Sequence, residues 1–259
     1  MKLYPQLIGQ TAEFRALTDA FRAGRLPACV TGASAVHKAN IIAALCSAHH
    51  RRALILAADE AEAQRFQRDL AEMGMHCAVY PYRDLVFRAM ESHSREYERM
   101  RLSVLAAVRS GALDGVICCA DAALQCTIPP QELDRRTVRV HAGDTLPPSR
   151  LLAALTRAGY ERTDQVEGEG QFAQRGGIVD FFAPGEPAPI RVEFWGDEID
   201  SASFFDPDTQ RRTDPVQEWA LSPSVEAVID DPRALADKLV VLAGSLRGKA
   251  AERGKEQLL

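Results

Sequence analysis

The stretch V-T-G-A-S-A-V-H-K-A-N-I-I, residues 30–42, connects two apolar segments that have different periodicities. Residues Pro27 to Thr31 form a short apolar run typical of a buried strand, and Ala39 to Ala48 has the apolar spacing of a helix. Residues 30–42 therefore predict the connection from a strand to a helix. That connection is the repeating unit of an α/β domain with a parallel sheet.

The same alternation of strand and helix patterns continues through residues 1–128. It predicts helices at Thr11 to Arg22, Glu60 to Met73 and Ser94 to Arg109, and buried strands at Arg52 to Ala57, Cys77 to Tyr80 and Gly115 to Cys119. Strands and helices that alternate with short connections indicate a parallel sheet covered by helices on both faces. We therefore expect a Rossmann-like α/β domain.

The connection at Gly32 departs from a working phosphate-binding loop. The motif G-x-x-x-x-G-K-[ST] needs its second glycine so that backbone N–H groups can approach the phosphates, and its hydroxyl residue to bind Mg²⁺. Gly32 and Lys38 are retained, but His37 replaces the second glycine and Ala39 replaces the hydroxyl. The two losses argue against ATP hydrolysis. The loop is then either a connection kept for its geometry or, with Lys38 at a helix N-terminus, a weak anion site.

Composition limits the class of protein. The 259 residues are 46% hydrophobic, which suits one large or two modest domains. Because the sequence lacks both a run of about 18 apolar residues and the apolar core of a signal peptide, we expect a cytoplasmic protein without a membrane partner. The six cysteines lack C-x-x-C spacing, and neither acidic pair suits a metal site, because Asp59-Glu60 opens a predicted helix and Asp230-Asp231 lies in a turn ahead of Pro232. No metal or other cofactor is therefore expected.

Strand patterns separated by turn residues begin at Pro129. A strand at Thr137 to His141 and a helix at Pro147 to Ala158 precede two longer strands, 171–182 and 190–200, on either side of the turn A-P-G-E-P-A-P. Residues 129–220 are therefore expected to form a small α+β domain. Residues 221–259 predict a helical segment, with its helix at Pro232 to Ala243.

Charge is unevenly distributed along the chain. Residues 129–223 contain 10 Lys and Arg against 17 Asp and Glu, a net charge of −7, whereas the remaining residues contain 21 against 19, a net charge of +2. Because phosphate neutralisation drives non-specific DNA binding, an acidic domain is a poor candidate for holding a duplex. The charge distribution favours a protein partner.

The run I-R-V-E-F-W, residues 190–195, has Ile190, Val192 and Phe194 at every second position. Alternation in a strand places Arg191, Glu193 and Trp195 together on the face opposite the core. A turn near Gly185 would bring Arg175 close to Trp195 on the neighbouring strand. Arg and Trp anchors dominate protein interfaces, so these residues predict a binding surface.

A second interpretation of the same strand stays open from the residues alone. Trp195 would be covered by another part of the domain, and Arg191 would pair with Asp180 or Glu193.

Three segments of the second half resemble the N-terminal module of the bacterial transcription-repair coupling factors (Mfd), a module similar to the excision-repair protein UvrB. They are R-G-G-I-V-D-F-F-A-P-G (175–185), I-R-V-E-F-W-G-D-E-I-D-S (190–201) and F-D-P-D-T-Q-R (205–211). Y-P-Y-R-D-L-V-F (80–87) and S-H-S-R-E-Y-E-R-M-R (92–101) support the resemblance, which covers nearly the whole chain. UvrB itself is less similar, because its intact phosphate-binding loop and its aromatic-rich DNA-clamping hairpin are absent here.

The resemblance implies three domains. Residues 1–128 would be a helicase-type domain with a degenerate phosphate-binding loop, 129–220 an inserted domain that binds UvrA, and 221–259 a segment that returns to the first domain. The family's two arginines and one aromatic of the UvrA site correspond to Arg175, Arg191 and Trp195, although the family often has Phe at the last position.

The function implied by the resemblance is the non-catalytic recruitment of UvrA to RNA polymerase stalled at a DNA lesion. RNA polymerase and DNA would be bound by domains outside this chain. Two alternatives remain. One is a UvrB-type nucleotide-dependent DNA-processing domain that binds ATP near Lys38, and the other is a module that binds DNA directly.

Overall fold

The computed structural model describes residues 7–83 and 95–245. They form two compact units, the first containing residues 7–83 and 96–126 and the second containing residue 95 and residues 127–245. The three domain boundaries drawn from the sequence, and the return of residues 221–259 to the first domain, stay predictions. No helix in the described ranges is long and apolar enough to span a membrane.

The first unit is built on a three-stranded parallel sheet in the order β1-β3-β2. Its strands are β1 (Ala53–Ala57), β2 (Cys77–Val79) and β3 (Gly115–Cys119). Its helices are α1 (Ala12–Arg22), α2 (Ala35–His49), α3 (Glu60–Glu72), α4 (Glu96–Ser110) and α5 (Ala120–Leu124). The predicted alternation of helices and parallel strands is confirmed.

Helix α3 shows how the sequence defines an element of this unit. Asp59 precedes the helix, and its Oδ1 accepts a hydrogen bond from the N–H of Glu62 at 2.7 Å, while Glu62 Oε2 accepts from the N–H of Ala58 at 2.7 Å. These reciprocal bonds satisfy backbone donors that a helix start leaves without partners. Phe66 and Leu70, four residues apart, then face the core that includes Ile55 and Ile117 of the sheet.

The predicted strand at Pro27 to Thr31 is wrong. The structure contains no strand there, and residues 21–32 are exposed throughout. A strand needs a partner whose backbone groups complete its hydrogen bonds, and no described strand pairs with this segment. The apolar side chains that suggested burial, Leu26 and Val30, are 54% and 49% exposed.

The second unit contains a six-stranded sheet and a small two-stranded sheet. The strand order is β10-β9-β8-β7-β6-β5 in the large sheet, which is antiparallel except at β5–β6, and β11-β4 in the small one. The strands are β4 (Val138–His141), β5 (Glu161–Arg162), β6 (Gln171–Arg175), β7 (Ile178–Phe181), β8 (Ile190–Trp195), β9 (Glu198–Phe205), β10 (Arg212–Pro215) and β11 (Glu218–Leu221). The helices are α6 (Pro130–Arg136), α7 (Pro148–Arg157) and α8 (Pro232–Ser245).

The two long strands predicted at 171–182 and 190–200 are each a β-hairpin instead. The chain reverses at Gly176-Gly177 between β6 and β7, and at Gly196-Asp197 between β8 and β9. Gly176 and Gly196 have φ values of 59° and 64°, in the left-handed region that glycine tolerates and that two-residue hairpin turns require. Apolar residues stand on both sides of each turn, so each run was interpreted as a single strand.

The core of the second unit lies on one face of the large sheet. Side chains of β7 and β8, including Phe181, Ile190 and Val192, pack against Leu151 and Leu155 of α7, and all five are completely or almost completely buried. Alternation places the neighbours of these residues on the opposite face. That opposite face carries the polar side chains described next.

Candidate functional site

The three segments that carry the family resemblance converge on the opposite face of the large sheet. Asp180 of β7 lies directly across from Arg191 of β8, and Arg175 at the end of β6 lies diagonally across from Asp180. Diagonal neighbours on one face lie within reach of long side chains. Gln210, in the connection between β9 and β10, completes a group of four residues that we name the Asp180 cluster: Arg175, Asp180, Arg191 and Gln210.

Asp180 is the centre of the cluster and its side chain is only 1% exposed. Arg191 donates to both carboxylate oxygens, from Nε to Oδ1 at 2.8 Å and from Nη2 to Oδ2 at 2.8 Å. Arg175 donates from Nη2 to the same Oδ2 at 2.7 Å. A carboxylate is rarely buried without paired cations, so the two arginines are what allows Asp180 to lie inside the sheet face.

Gln210 holds the two guanidinium groups from the other side. Its Oε1 accepts from Nη2 of Arg175 and from Nη2 of Arg191, both at 3.3 Å, and its backbone oxygen accepts from Nη1 of Arg191 at 3.1 Å. The residue has a φ of 59°, and its Nε2 donates to the backbone oxygen of Pro207 at 2.7 Å. The guanidinium of Arg191 also lies 4.5 Å from the ring centroid of Phe205.

The two arginines differ in their exposure and in how many of their N–H groups already have a hydrogen-bond partner. Arg191 is 12% exposed, and four of its five N–H groups donate to Asp180 or Gln210. The hydrogen bond to Asp180, more than any other influence, raises the pKa of Arg191. Arg175 is 48% exposed, and its Nε and Nη1 have no hydrogen-bond partner within the described residues. Two cations against one carboxylate leave the cluster with a charge of +1.

Trp195 lies at the end of β8 on the same face as this cluster and is 83% exposed. Glu193, between Arg191 and Trp195 on the same face, forms an ion pair with Arg212 of β10 and accepts from Ser201 Oγ at 3.2 Å. The interpretation that Trp195 is covered by its own domain is therefore wrong. The pairing of Arg191 with Asp180, which belonged to that interpretation, is correct, and the pairing with Glu193 is not.

The predicted neighbour relation between Arg175 and Trp195 is also wrong. Arg175 pairs with Ile178 of β7, and Ile178 pairs with Glu193 of β8, so strand β7 separates β6 from β8. The physical reason is the hairpin at Gly176-Gly177, which inserts a strand where the sequence suggested a direct neighbour. Arg175 and Trp195 still lie on one face of the sheet, two strands apart.

The loop at residues 32–39 forms a turn into α2. Gly32 has a φ of 75°, the N–H of Lys38 donates to the backbone oxygen of Ser34 at 2.9 Å, and His37 Nδ1 lies 3.1 Å from Ser34 Oγ. His37 and Lys38 are exposed, whereas Ala39 is fully buried in the core against the sheet. Within residues 7–83 and 95–245, no group of three or more His, Cys, Asp and Glu residues could hold a metal ion.

Sequence reasoning missed the roles of Gln210 and Phe205 and treated Asp180 as a competing partner instead of the centre of the site. One signal was available for Asp180, because a carboxylate in the middle of the apolar run I-V-D-F-F predicts a buried acid with a cationic partner. The segment 205–211 carried the family resemblance. Its side-chain contacts depend on how the connection folds back over the sheet, which no periodicity encodes.

Comparisons with known proteins match the region that contains the cluster. A family model described as the UvrB interaction domain matches residues 138–226. The transcription-repair-coupling factor of Bacillus subtilis (strain 168) is 25% identical over 257 residues, which cover 97% of this chain and 22% of that protein.

Two further coupling factors are similar to this chain over most of its length. That of Haemophilus influenzae is 31% identical over 180 residues, covering 69% of this chain and 16% of the relative. That of Staphylococcus aureus (strain USA300) is 26% identical over 233 residues, covering 89% of this chain and 20% of the relative. The chain thus spans about a fifth of the length of these curated relatives. It belongs to the transcription-repair-coupling factor family, as an N-terminal module that contains a UvrB interaction domain.

Proposed function

We propose that the second unit binds UvrA through the surface formed by Trp195, Arg175 and Arg191. The chain is a non-catalytic recruitment module, and it brings UvrA to RNA polymerase stalled at a DNA lesion. Contacts with RNA polymerase and with DNA belong to other regions of a coupling factor.

The observation that carries this proposal is an exposed tryptophan on the same sheet face as two arginines that are already fixed by a buried carboxylate. Trp195 is 83% exposed, and Asp180 holds both guanidinium groups within the region that matches the UvrB interaction domain. Large aromatic side chains and arginines are the residues that contribute most to protein interfaces. Because the arginines are ordered in advance, little conformational entropy is lost when a partner binds.

The acidic character of the surrounding unit supports a protein partner over a DNA duplex. Residues 129–223 have a net charge of −7, from 10 basic and 17 acidic residues, and the cluster itself supplies only +1. Duplex binding depends on several cations that each neutralise a phosphate. A single exposed guanidinium and an indole ring fit a mixed polar and apolar protein surface.

A titration of the chain with purified UvrA tests the proposal. Trp195→Ala removes the exposed anchor, and we expect the Kd to rise about thirtyfold, the equivalent of about 2 kcal/mol. Leu124→Ala is the matched control, because Leu124 is an 84% exposed apolar residue of the first unit. Equal affinities of the parent and Trp195→Ala would overturn the proposal.

The UvrB-type alternative makes a different demand on the chain. It requires Mg·ATP to bind near Lys38, where the motif lacks both the second glycine and the hydroxyl residue. The fully buried position of Ala39 supports the non-catalytic assignment. Calorimetry with Mg·ATP separates the two functions, since saturable binding in the micromolar range that Lys38→Ala abolishes would favour the alternative.

A further inference from the structure

We infer that Asp180 and Gln210 are positioning residues of the UvrA-binding surface, and that Arg175 supplies the cation that meets a carboxylate of the partner, while Arg191 braces it from within. This inference rests on the proposed function and divides its residues by role. The two arginines have equal charge, so the division depends on where their donors point and what those donors already contact.

Arg191 has little left with which to contact a partner. Its Nε and Nη2 are taken by the two oxygens of Asp180, its Nη1 donates to the backbone oxygen of Gln210, and its guanidinium stacks over Phe205. Its positive charge is opposed directly by a carboxylate at 2.8 Å. Because its guanidinium contacts Asp180, Gln210 and Phe205, Arg191 is a fixed part of the sheet surface.

Arg175 has the complementary properties. One nitrogen, Nη2, is anchored to Asp180 at 2.7 Å and to Gln210 at 3.3 Å, and the other two nitrogens have no partner in the described part of the chain. The side chain is four times as exposed as that of Arg191, 48% against 12%. The remaining N–H groups of an anchored guanidinium can form charge-assisted hydrogen bonds with a carboxylate, the acceptor that matches them best.

Asp180 shapes this arrangement without contacting the partner. It is 1% exposed, and its Oδ2 accepts hydrogen bonds from both guanidiniums. Gln210 repeats the bridge with Oε1, from a turn residue whose φ is 59°. Removing either bridge leaves Arg175 with one anchor instead of two and allows it more rotamers, so affinity falls although Trp195 and both arginines are retained.

Asp180→Asn distinguishes a positioning role from a simple effect of charge, because the two mechanisms predict opposite changes in the Kd for UvrA. The substitution keeps the shape of the side chain and raises the charge of the cluster from +1 to +2. If the arginines acted as independent charges, an acidic partner surface would bind the variant more tightly. If Asp180 positions them, we expect UvrA binding by the full 259-residue chain to weaken about tenfold.

Asp208→Asn is the matched control. Asp208 is exposed, lies two residues from Gln210 and has no hydrogen bond to either arginine, yet its substitution changes the charge by the same amount. We expect its Kd to stay within about twofold of the parent. A Kd for Asp180→Asn equal to or lower than that of the parent would overturn the inference.

Gln210→Asn keeps the test decisive if Asp180→Asn fails to fold, which circular dichroism and thermal unfolding would reveal. Asn tolerates positive φ but is one methylene too short to reach both arginines, so we expect binding about threefold weaker. An unchanged Kd for a folded Gln210→Asn variant would then contradict the positioning role.

The salt dependence of binding tests which of the two arginines contacts the partner. Arg175→Ala removes the partner-facing cation, so its Kd should vary less with salt than that of the parent, whereas Arg191→Ala should weaken binding and keep the parent's salt dependence. Equal losses of salt dependence in the two variants would overturn the division of roles. Failure of the proposed function looks different, since UvrA would then bind the parent and Trp195→Ala equally or not at all.

Discussion

The Gly32 loop, residues 32–39, and the Asp180 cluster both combine basic side chains with a residue of positive φ, Gly32 in one and Gln210 in the other. In the loop, the ammonium of Lys38 has no hydrogen-bond partner within the described ranges, and His37 contacts a single hydroxyl. In the cluster, every member bonds to at least two others, around a carboxylate that is 1% exposed.

This contrast shows why charge alone does not identify a binding site. A buried carboxylate destabilises the folded state unless cations and hydrogen bonds compensate it. Burial of Asp180 therefore requires that the arginines stay bonded to it. An exposed lysine on a helical turn carries no such requirement. The side chains of the cluster are therefore held in place by one another, whereas the side chain of Lys38 is not held by any described residue.

The largest expected effect is on stability at the cluster. Arg191→Ala leaves Asp180 buried with only Arg175 as its cationic partner, and we expect the free energy of unfolding to fall by about 3 kcal/mol. A urea titration followed by the fluorescence of the buried Trp219 measures this value. Lys38→Ala in the loop is the control and should change stability by less than about 0.5 kcal/mol. Similar losses in the two variants would remove the contrast between the regions.

Cysteine reactivity tests whether the segment before the Gly32 loop is as open as the structure shows. Cys29 is exposed, whereas Cys77 is buried in β2, where burial first and the negative charge of Asp114 second raise its pKa to about 11. Since the thiolate is the reactive form, iodoacetamide at pH 7 should modify Cys29 about a hundredfold faster than Cys77. Mass spectrometry of peptides over time measures both rates. Protection of Cys29 equal to that of Cys77 would indicate a buried strand at Pro27 to Thr31 after all.

A smaller effect is expected when the missing hydroxyl of the phosphate-binding motif is restored. Ala39 is fully buried among apolar side chains, so Ala39→Thr adds a methyl and a hydroxyl to a filled core and should destabilise the first unit by about 1 to 2 kcal/mol. His37→Ala, at an exposed position of the same loop, is the comparison variant. Denaturant unfolding that shows no loss for Ala39→Thr would mean that the loop still has room for the hydroxyl.

The regular elements of the first unit were predictable because each has one periodicity. Predicted helices such as Glu60 to Met73 and strands such as Gly115 to Cys119 agree with the structure to within a few residues. The strand at Pro27 to Thr31 failed because apolar composition indicates burial but does not supply a pairing partner. Each of the two hairpins was predicted as one strand because apolar residues stand on both sides of its glycine turn.

The residues of the candidate site were predictable only in part. Alternation placed Arg191 and Trp195 on one face, and the exposure of Trp195 agrees with a binding surface. The bonds from Gln210 depend on a connection that folds back from β9, and the bridge through Asp180 depends on the register of three strands. A shift of one residue would have placed Asp180 in the core, and the sequence does not fix register that finely.

The most direct test of the account is a UvrA titration of two variants measured side by side, Trp195→Ala in the hairpin and Lys38→Ala in the loop. We expect Trp195→Ala to raise the Kd about thirtyfold and Lys38→Ala to leave it unchanged. The reverse result, a Kd that depends on Lys38 and is indifferent to Trp195, would contradict the account.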